Sequence, residues 1–169
     1  MTILPLYSMP PFLQRALVNF HIAMAGLCSL IHWGHYPGLR ILVPNAFIFA
    51  WLIYAPDLFR LSSLFVIGLI MDSLMNLPLG ISFGSYWLLW WMTLGQRSFL
   101  AGQRFLIGWL SFLITTGIVE LFRSSILALS SDAVGSWHIL GYDMLVVFLL
   151  YPLIAMHVRW IALRLKQLE

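Results

Sequence analysis

Charged residues and cysteine are scarce in this sequence. Asp, Glu, Lys and Arg together make up 9% of its 169 residues, whereas they make up roughly a quarter of a typical soluble domain. This shortage excludes an ordinary soluble domain and leaves no room for a basic nucleic-acid-binding surface. The single cysteine, Cys28, lies within an apolar run. A lone cysteine excludes an intramolecular disulfide and a cysteine metal cage.

Long apolar runs take the place of charge. Hydrophobic residues make up 62% of the chain, and its mean hydropathy is +0.93. Since a membrane-spanning helix needs about 20 mostly apolar residues, the sequence predicts an all-α integral membrane protein, with about six helices in a single transmembrane domain over residues 1–169. Breaks rich in glycine, proline and charge place the spans approximately at residues 16–33, 39–55, 61–77, 79–94, 105–129 and 139–163.

The positively charged residues predict the orientation of these spans, because loops rich in Lys and Arg stay in the cytoplasm. If the N-terminus is cytoplasmic, the outer loops carry Arg40 alone. The cytoplasmic segments then hold Arg15, Arg60, Arg97, Arg104, Arg159, Arg164 and Lys166. The sequence therefore predicts that both termini are cytoplasmic, which requires an even number of spans.

Charged side chains also fall inside the predicted spans, toward their outer ends: Asp72, Glu120, Arg123 and Asp143. An ionisable group at the centre of a membrane helix costs about 2.5 to 3.5 kcal/mol on insertion scales. Such residues therefore mark either a functional site or a contact between helices. Arg40 and Asn45, at the outer start of the second span, are predicted to lie in the same layer.

Helical spacing places these polar residues on shared faces. Gly68, Asp72 and Asn76 follow an i, i+4, i+8 pattern, and Glu120 can pair with Arg123 at i, i+3. Two interpretations stay open: the charges neutralise one another and fix the helix register, or they form an outward-facing polar cavity or partner interface. The candidate residues are Arg40, Asn45, Asp72, Asn76, Glu120, Arg123 and Asp143.

Proline and glycine mark predicted irregularities in the helices. Pro44 and Pro152 fall inside spans, where each removes a backbone hydrogen bond and is expected to kink its helix. Neighbouring helices can satisfy the carbonyl groups that are freed. Pro78 and Gly80 predict a tight turn between the third and fourth spans, and Gly68 is grouped with these residues as helix-breaking.

Two weaker patterns suggest chemistry but do not support an enzyme. Gly80-Ile81-Ser82-Phe83-Gly84 matches the G-x-S-x-G pattern of serine hydrolases, yet it opens a membrane helix rather than a strand-to-helix elbow. His32 and His35 could reach one metal ion, with His138 as the only further ligand to be expected from the outer loops. We expect no catalytic residue, no metal site and no cofactor.

Several short motifs lie between residue 42 and the C-terminus. They are Pro44-Asn45 at the start of a short span, Gly68-Leu69-Ile70-Met71-Asp72, the turn Pro78-Leu79-Gly80, Val119-Glu120-Leu121, and Tyr151-Pro152 in a final span that ends in Arg159, Arg164 and Lys166. In combination they resemble the family of the rod-shape-determining membrane protein MreD.

The resemblance implies a bacterial inner-membrane protein with six spans and no enzymatic activity. Its role would be scaffolding or regulation in the machinery that elongates the lateral cell wall and determines rod shape. The expected partner is a bitopic membrane protein of the MreC type. The wider complex would contain RodA, a class B penicillin-binding protein and MreB. Membrane lipid is the other expected contact, and nucleic acid is not.

The MreD fold is itself similar to the substrate-binding S component of energy-coupling-factor transporters, so an S-component-like bundle is expected. The alternative function is therefore an S component that captures a vitamin or a metal ion from outside. The outward clustering of polar groups fits this alternative. The first span, however, offers only Ala25 and Ser29 where S components often show Ala-x-x-x-Ala.

Overall fold

The computed structural model describes residues 10–30, 39–100, 103–130 and 137–166. At some helix ends, including 28–30, 39–41 and 137–140, it describes the backbone alone. The described residues form one short 3-10 turn, Pro56–Leu58, and six α-helices, with no strand among them. The helices are α1 (Pro11–Leu30), α2 (Leu39–Tyr54), α3 (Leu61–Leu74), α4 (Ile81–Leu100), α5 (Phe105–Ser130) and α6 (Trp137–Lys166). Within these ranges the all-α prediction is confirmed.

Several helix boundaries differ from the prediction. Helix α1 begins at Pro11 rather than near residue 16, and α6 continues to Lys166 rather than ending near residue 163. Helix α3 ends at Leu74 rather than near residue 77. Helix α4 was expected to end near residue 94, before a break at 95–104, but it continues through Gly95 to Leu100. The extra length is stabilised by Gln96, which donates to Thr115 Oγ1 at 2.8 Å and accepts from Ser111 Oγ at 2.5 Å. These bonds tie the end of α4 to α5.

Apolar length alone identifies two helices that could cross a membrane within the described part of the chain. These are residues Phe105–Leu129 and Gly141–Leu165, while Leu42–Tyr54 and Leu61–Leu74 are apolar but shorter. Large hydrophobic side chains are also exposed on α1, α3, α4, α5 and α6, for example Phe20, Ile114 and Leu153, each more than half exposed. Such a surface is typical of a protein that contacts lipid.

Helix α2 lies at the centre of the bundle. Its residues Ile48, Phe49, Ala50, Trp51 and Leu52 are completely buried, and it packs against α1, α4 and α6. A helix that is apolar on all sides is expected at such a central position. The core that surrounds α2 receives side chains from all six helices.

An aromatic cluster joins α2, α5 and α6. The ring of Tyr151 stacks on Phe112, with 4.2 Å between centroids, and meets Phe49 edge-on at 5.8 Å. Next to it, Trp109 stacks on Phe148 at 4.5 Å. Aromatic pairs of this geometry contribute about 0.5 to 1.5 kcal/mol beyond the area that they bury.

Helix α6 runs through Pro152, and α5 compensates for the missing hydrogen bond. A proline has no N–H group, so the carbonyl oxygen four residues earlier, that of Phe148, loses its helical donor. The indole Nε1 of Trp109 donates to this oxygen at 2.8 Å. The expectation that a neighbouring helix satisfies the freed carbonyl is confirmed here.

Short connections make consecutive helices antiparallel, so the bundle has two distinct ends. We call the end that holds the turn at 75–80, between α3 and α4, the turn end. The other, which we call the terminal end, holds the start of α1, the end of α6 and the connections from α2 to α3 and from α4 to α5.

Candidate functional site

Asp72 closes the turn end of the bundle by capping a helix. Its side chain is completely buried near the end of α3. One carboxylate oxygen, Oδ2, accepts a hydrogen bond from the backbone N–H of Gly80 at 2.7 Å, and Oδ1 accepts one from that of Ser82 at 2.9 Å. These N–H groups lie at the N-terminal end of α4. At this end the amides lack helical acceptors, and the helix dipole favours a negative charge. Asp72 therefore acts as an N-terminal cap for the next helix.

The turn at 75–80 is built around this cap. The backbone oxygen of Asp72 accepts from the N–H of Leu77 at 2.9 Å. Asn76 and Gly80 have φ angles of 53° and 102°, in a region that asparagine and glycine adopt most readily. The tight turn predicted from Pro78 and Gly80 is therefore present.

Asn76 does not belong to the buried polar group, contrary to its predicted place on the Asp72 face. Helix α3 ends two residues before it, and its side chain is exposed. The i, i+8 stripe was wrong at this position because the chain leaves the helix to form the turn.

Gly68 has a packing role and does not break its helix, so this part of the prediction was wrong. It lies inside α3 and is buried. A Cβ atom added there would come within 2.7 Å of the backbone nitrogen of Phe83 and 2.8 Å of its Cα. The absence of a side chain at Gly68 lets the backbones of α3 and α4 approach closely, as small residues do between membrane helices.

Asn45 and Glu120 connect α2 with α5 inside the bundle. The amide Nδ2 of Asn45 donates to Glu120 Oε1 at 3.3 Å, and both side chains are buried. Because a buried carboxylate without donors is costly, this contact helps Glu120 to be accommodated. The backbone position of Asn45, one residue after Pro44, places its amide within reach.

Arg123 lies beside this pair and is also buried, at 3% exposure. Its guanidinium acts electrostatically on the Glu120 carboxyl. Arg123, Glu120 and Asp72 all lie close enough to the hydroxyl of Tyr86 to act on it. Tyr86, on α4, thus stands among charges contributed by α3 and α5.

Among the described residues in this region, some buried polar atoms have no hydrogen-bond partner. They are Asn45 Oδ1, Arg123 Nε and the hydroxyl of Thr116. Asp143, on α6, is also completely buried, near the same end of the bundle. We call Asn45, Asp72, Tyr86, Glu120, Arg123 and Asp143 the polar cluster.

Some predicted site residues fall where side chains are not described. Arg40 lies in the first turn of α2 and His138 at the start of α6, but only their backbones are described. His32 and His35 lie outside the described ranges altogether. The metal hypothesis for these histidines therefore has no geometry to support it.

Ser82 does not have the environment of a hydrolase nucleophile. It is 4% exposed, and it belongs to the first turn of α4, where its backbone amide binds Asp72. A nucleophilic serine of the G-x-S-x-G type stands exposed on a strand-to-helix elbow. The glycines around Ser82 instead serve the turn and the helix start.

Two well-formed pockets lie in the described part of the chain, and neither is lined by the polar cluster. One, of about 610 Å³, opens at the terminal end and is lined by Arg97, Arg104 and Arg159 among other residues. The second, of about 600 Å³, lies beside Trp90 and Trp91. In the sequence, these arginines predicted only the orientation of the spans. Their positions toward the same ends of three neighbouring helices were the feature of the sequence that could have indicated that they lie close together.

Comparisons with protein-family models, with curated proteins and with solved structures find no match to this chain.

Proposed function

We propose that this chain is a non-catalytic scaffold or regulator in the machinery that elongates the bacterial cell wall. It crosses the inner membrane six times with both termini in the cytoplasm. It holds a bitopic partner of the MreC type and, through that partner, acts with RodA, a class B penicillin-binding protein and MreB to determine rod shape. The motifs that resemble the MreD family supply the identity of this machinery.

The observation that carries the proposal is that Asp72, Asn45 and Glu120 are buried and form hydrogen bonds to the backbone or to one another. Asp72 caps α4, and Asn45 binds Glu120 between α2 and α5. An enzyme needs reactive groups that substrate can reach. Polar groups committed to internal bonds instead hold helices in a fixed arrangement, which is what a scaffold requires.

The motifs of the resemblance coincide with this arrangement. Gly68 sets the close approach of α3 and α4, Asp72 supplies the cap, and Gly80 supplies one of the capped amides. Glu120 accepts the hydrogen bond from Asn45 that connects α5 to α2. These residues are therefore explained by the architecture of the turn end, without any bound substrate.

Six membrane passes fit the exposed apolar surface, although some helices are short. With 14 residues, α3 extends about 21 Å, against about 30 Å for the hydrocarbon core of a bilayer. A short span is accommodated by local thinning of the bilayer or by contact with other helices. Partner helices beside α3 would meet this need.

The S-component alternative requires a cavity that opens outward and is lined by the polar cluster. The two pockets described above lie elsewhere, and the one lined by arginines is at the terminal end, which is cytoplasmic in the proposed orientation. Neither of these two pockets supports the receptor.

Depletion of this chain from its own host tests the proposal. We expect rod-shaped cells to become round as the chain is lost, and we expect Ser82→Ala to restore the rod as well as the unmodified chain does. Uptake of vitamins and metal ions should not change before shape does. Cells that keep their shape but lose uptake of one such solute would contradict the scaffold and favour the S component.

A further inference from the structure

The pocket at the terminal end gathers three arginines from different helices. Arg97 comes from the last turn of α4, Arg104 directly precedes α5, and Arg159 comes from α6. Arg159 is close enough to Tyr54 at the end of α2 to act electrostatically on its hydroxyl. Since like charges repel, side chains that converge in this way need an anion or water between them.

The chemistry of the lining suits a phosphate group. A guanidinium presents N–H donors in a planar fork that can bind two phosphate oxygens at once. Tyr54, Ser98 and Gln103 add further hydrogen-bonding groups to the wall. No Asp or Glu is among the described residues that line the pocket, so none of them competes with an anionic ligand.

The start of α5 adds to the positive potential. Arg104 and Phe105, at the N-terminal end of this helix, both line the pocket. The first N–H groups of a helix lack partners in the helix and carry partial positive charge. An anion in the pocket would therefore meet a helix terminus as well as the arginines.

The same pocket has an apolar side that suits an acyl chain. Phe105 and Leu163 line it and are about half exposed, at 44% and 50%. At Gly108, also in the wall, an added Cβ would meet no atom within 4 Å, so the surface along α5 is open there. Next to the pocket, Arg164 lies over the ring of Trp160 at 5.1 Å. Tryptophan and arginine together are typical of the level of lipid headgroups.

We propose that this pocket binds an anionic phospholipid, with its phosphate between Arg97, Arg104 and Arg159 and an acyl chain along Gly108 and Leu163. Basic pockets between membrane helices on the cytoplasmic side are suited to lipid headgroups. The inference relies on the proposed membrane placement but not on the partner. The bound lipid would contact α2, α4, α5 and α6 together, since residues of all four helices line the pocket.

The test measures lipid binding by the purified full chain in a neutral detergent. Phosphatidylglycerol, phosphatidylcholine and inorganic phosphate are titrated separately, and binding is followed by tryptophan fluorescence and native mass spectrometry. We expect saturable binding of phosphatidylglycerol, much weaker binding of phosphatidylcholine, and weaker binding of inorganic phosphate, which lacks the acyl chain. The double variant Arg97→Gln/Arg159→Gln should bind phosphatidylglycerol on the order of 30-fold more weakly, from the contribution of about 1 kcal/mol expected per basic residue.

A matched double variant, Arg15→Gln/Arg60→Gln, removes the same charge from the same end of the bundle, at two positions that do not line the pocket. It should bind phosphatidylglycerol within about twofold of the unmodified chain. Equal weakening in both double variants would overturn the proposal, because it would indicate attraction to net charge alone. Inorganic phosphate that binds as tightly as the lipid would also overturn it, in favour of a soluble anion.

A second pair of variants leaves the charge unchanged. Gly108→Leu fills the apolar side of the pocket, whereas Gly141→Leu places the same side chain at the start of α6, where an added Cβ is equally free of neighbours. Binding should be lost only in Gly108→Leu, and unchanged binding in this variant would contradict the predicted path of the acyl chain. Because the partner is absent from this assay, its result does not depend on the scaffold proposal.

Discussion

A carboxylate within an apolar helix needs hydrogen-bond donors. Asp72 accepts hydrogen bonds from two backbone N–H groups at the start of α4. Hydrogen bonds to a charged group contribute about 1.5 to 3 kcal/mol each, and a buried group left without its partner costs a similar amount. The Asp72 carboxylate therefore has hydrogen-bond donors, and in turn it supplies acceptors for one partly buried and one buried amide at the start of α4.

Replacing Asp72 by asparagine tests the cap. The amide group of asparagine offers one oxygen in place of two, and its NH2 group would face a backbone N–H. We expect Asp72→Asn to lower the free energy of unfolding by about 1 to 3 kcal/mol, and Asp72→Leu to lower it further. Unfolding of the purified chain in detergent, followed by tryptophan fluorescence, measures both.

The matched control is Asp57→Asn, which removes the same charge from an exposed position in the 3-10 turn. Its effect should stay within about 0.5 kcal/mol. An Asp72→Asn variant as stable as this control would show that the cap contributes nothing to stability.

The positions of the helices could largely be predicted from apolar length, but their ends could not. The extension of α4 beyond Gly95 depends on Gln96 meeting Ser111 and Thr115 on another helix. The early end of α3 depends on a turn that its own Asp72 organises. Both are long-range effects in which tertiary contacts override the local pattern of glycine and charge.

The hydrogen bond from α5 to α6 near Pro152 gives a second test. Trp109→Phe keeps the aromatic stacking on Phe148 but removes the N–H that binds its carbonyl oxygen. We expect a loss of about 1 to 3 kcal/mol in unfolding free energy. In the Pro152→Ala background the same change should cost less, because the amide restored at position 152 can donate to that oxygen.

A double-mutant cycle from the four chains isolates this coupling. If Trp109→Phe costs less unfolding free energy in the Pro152→Ala background than in the unmodified chain, the result would confirm that α5 compensates for the proline. The same cost of Trp109→Phe in both backgrounds would show that the hydrogen bond is not what connects the two positions.

Across the whole molecule, the two ends of the bundle differ in character. The turn end contains the polar cluster, closed by contacts such as Asn45 to Glu120. The terminal end contains an open pocket with three arginines. The closed end is suited to hold its helices rigidly beside a partner, and the open end is suited to hold lipid.

The membership of the polar cluster could be predicted in part, since helical spacing and the cost of buried charge pointed to Asp72, Glu120, Arg123 and Asp143. The backbone partners of Asp72 could not be predicted, because they depend on the three-dimensional turn. The arginine pocket was also missed. Arg159 is far in sequence from Arg97 and Arg104, and their common charge had already been explained by orientation in the membrane.

Retention of the bitopic partner is the most direct test of the scaffold. The unmodified chain, carrying an affinity tag, is purified from its own host in mild detergent, and the co-purified membrane proteins are identified by mass spectrometry. The proposal predicts a bitopic protein of the MreC type at constant stoichiometry, retained in Ser82→Ala and reduced in Asp72→Leu. A folded, monodisperse chain that carries no such protein would contradict it.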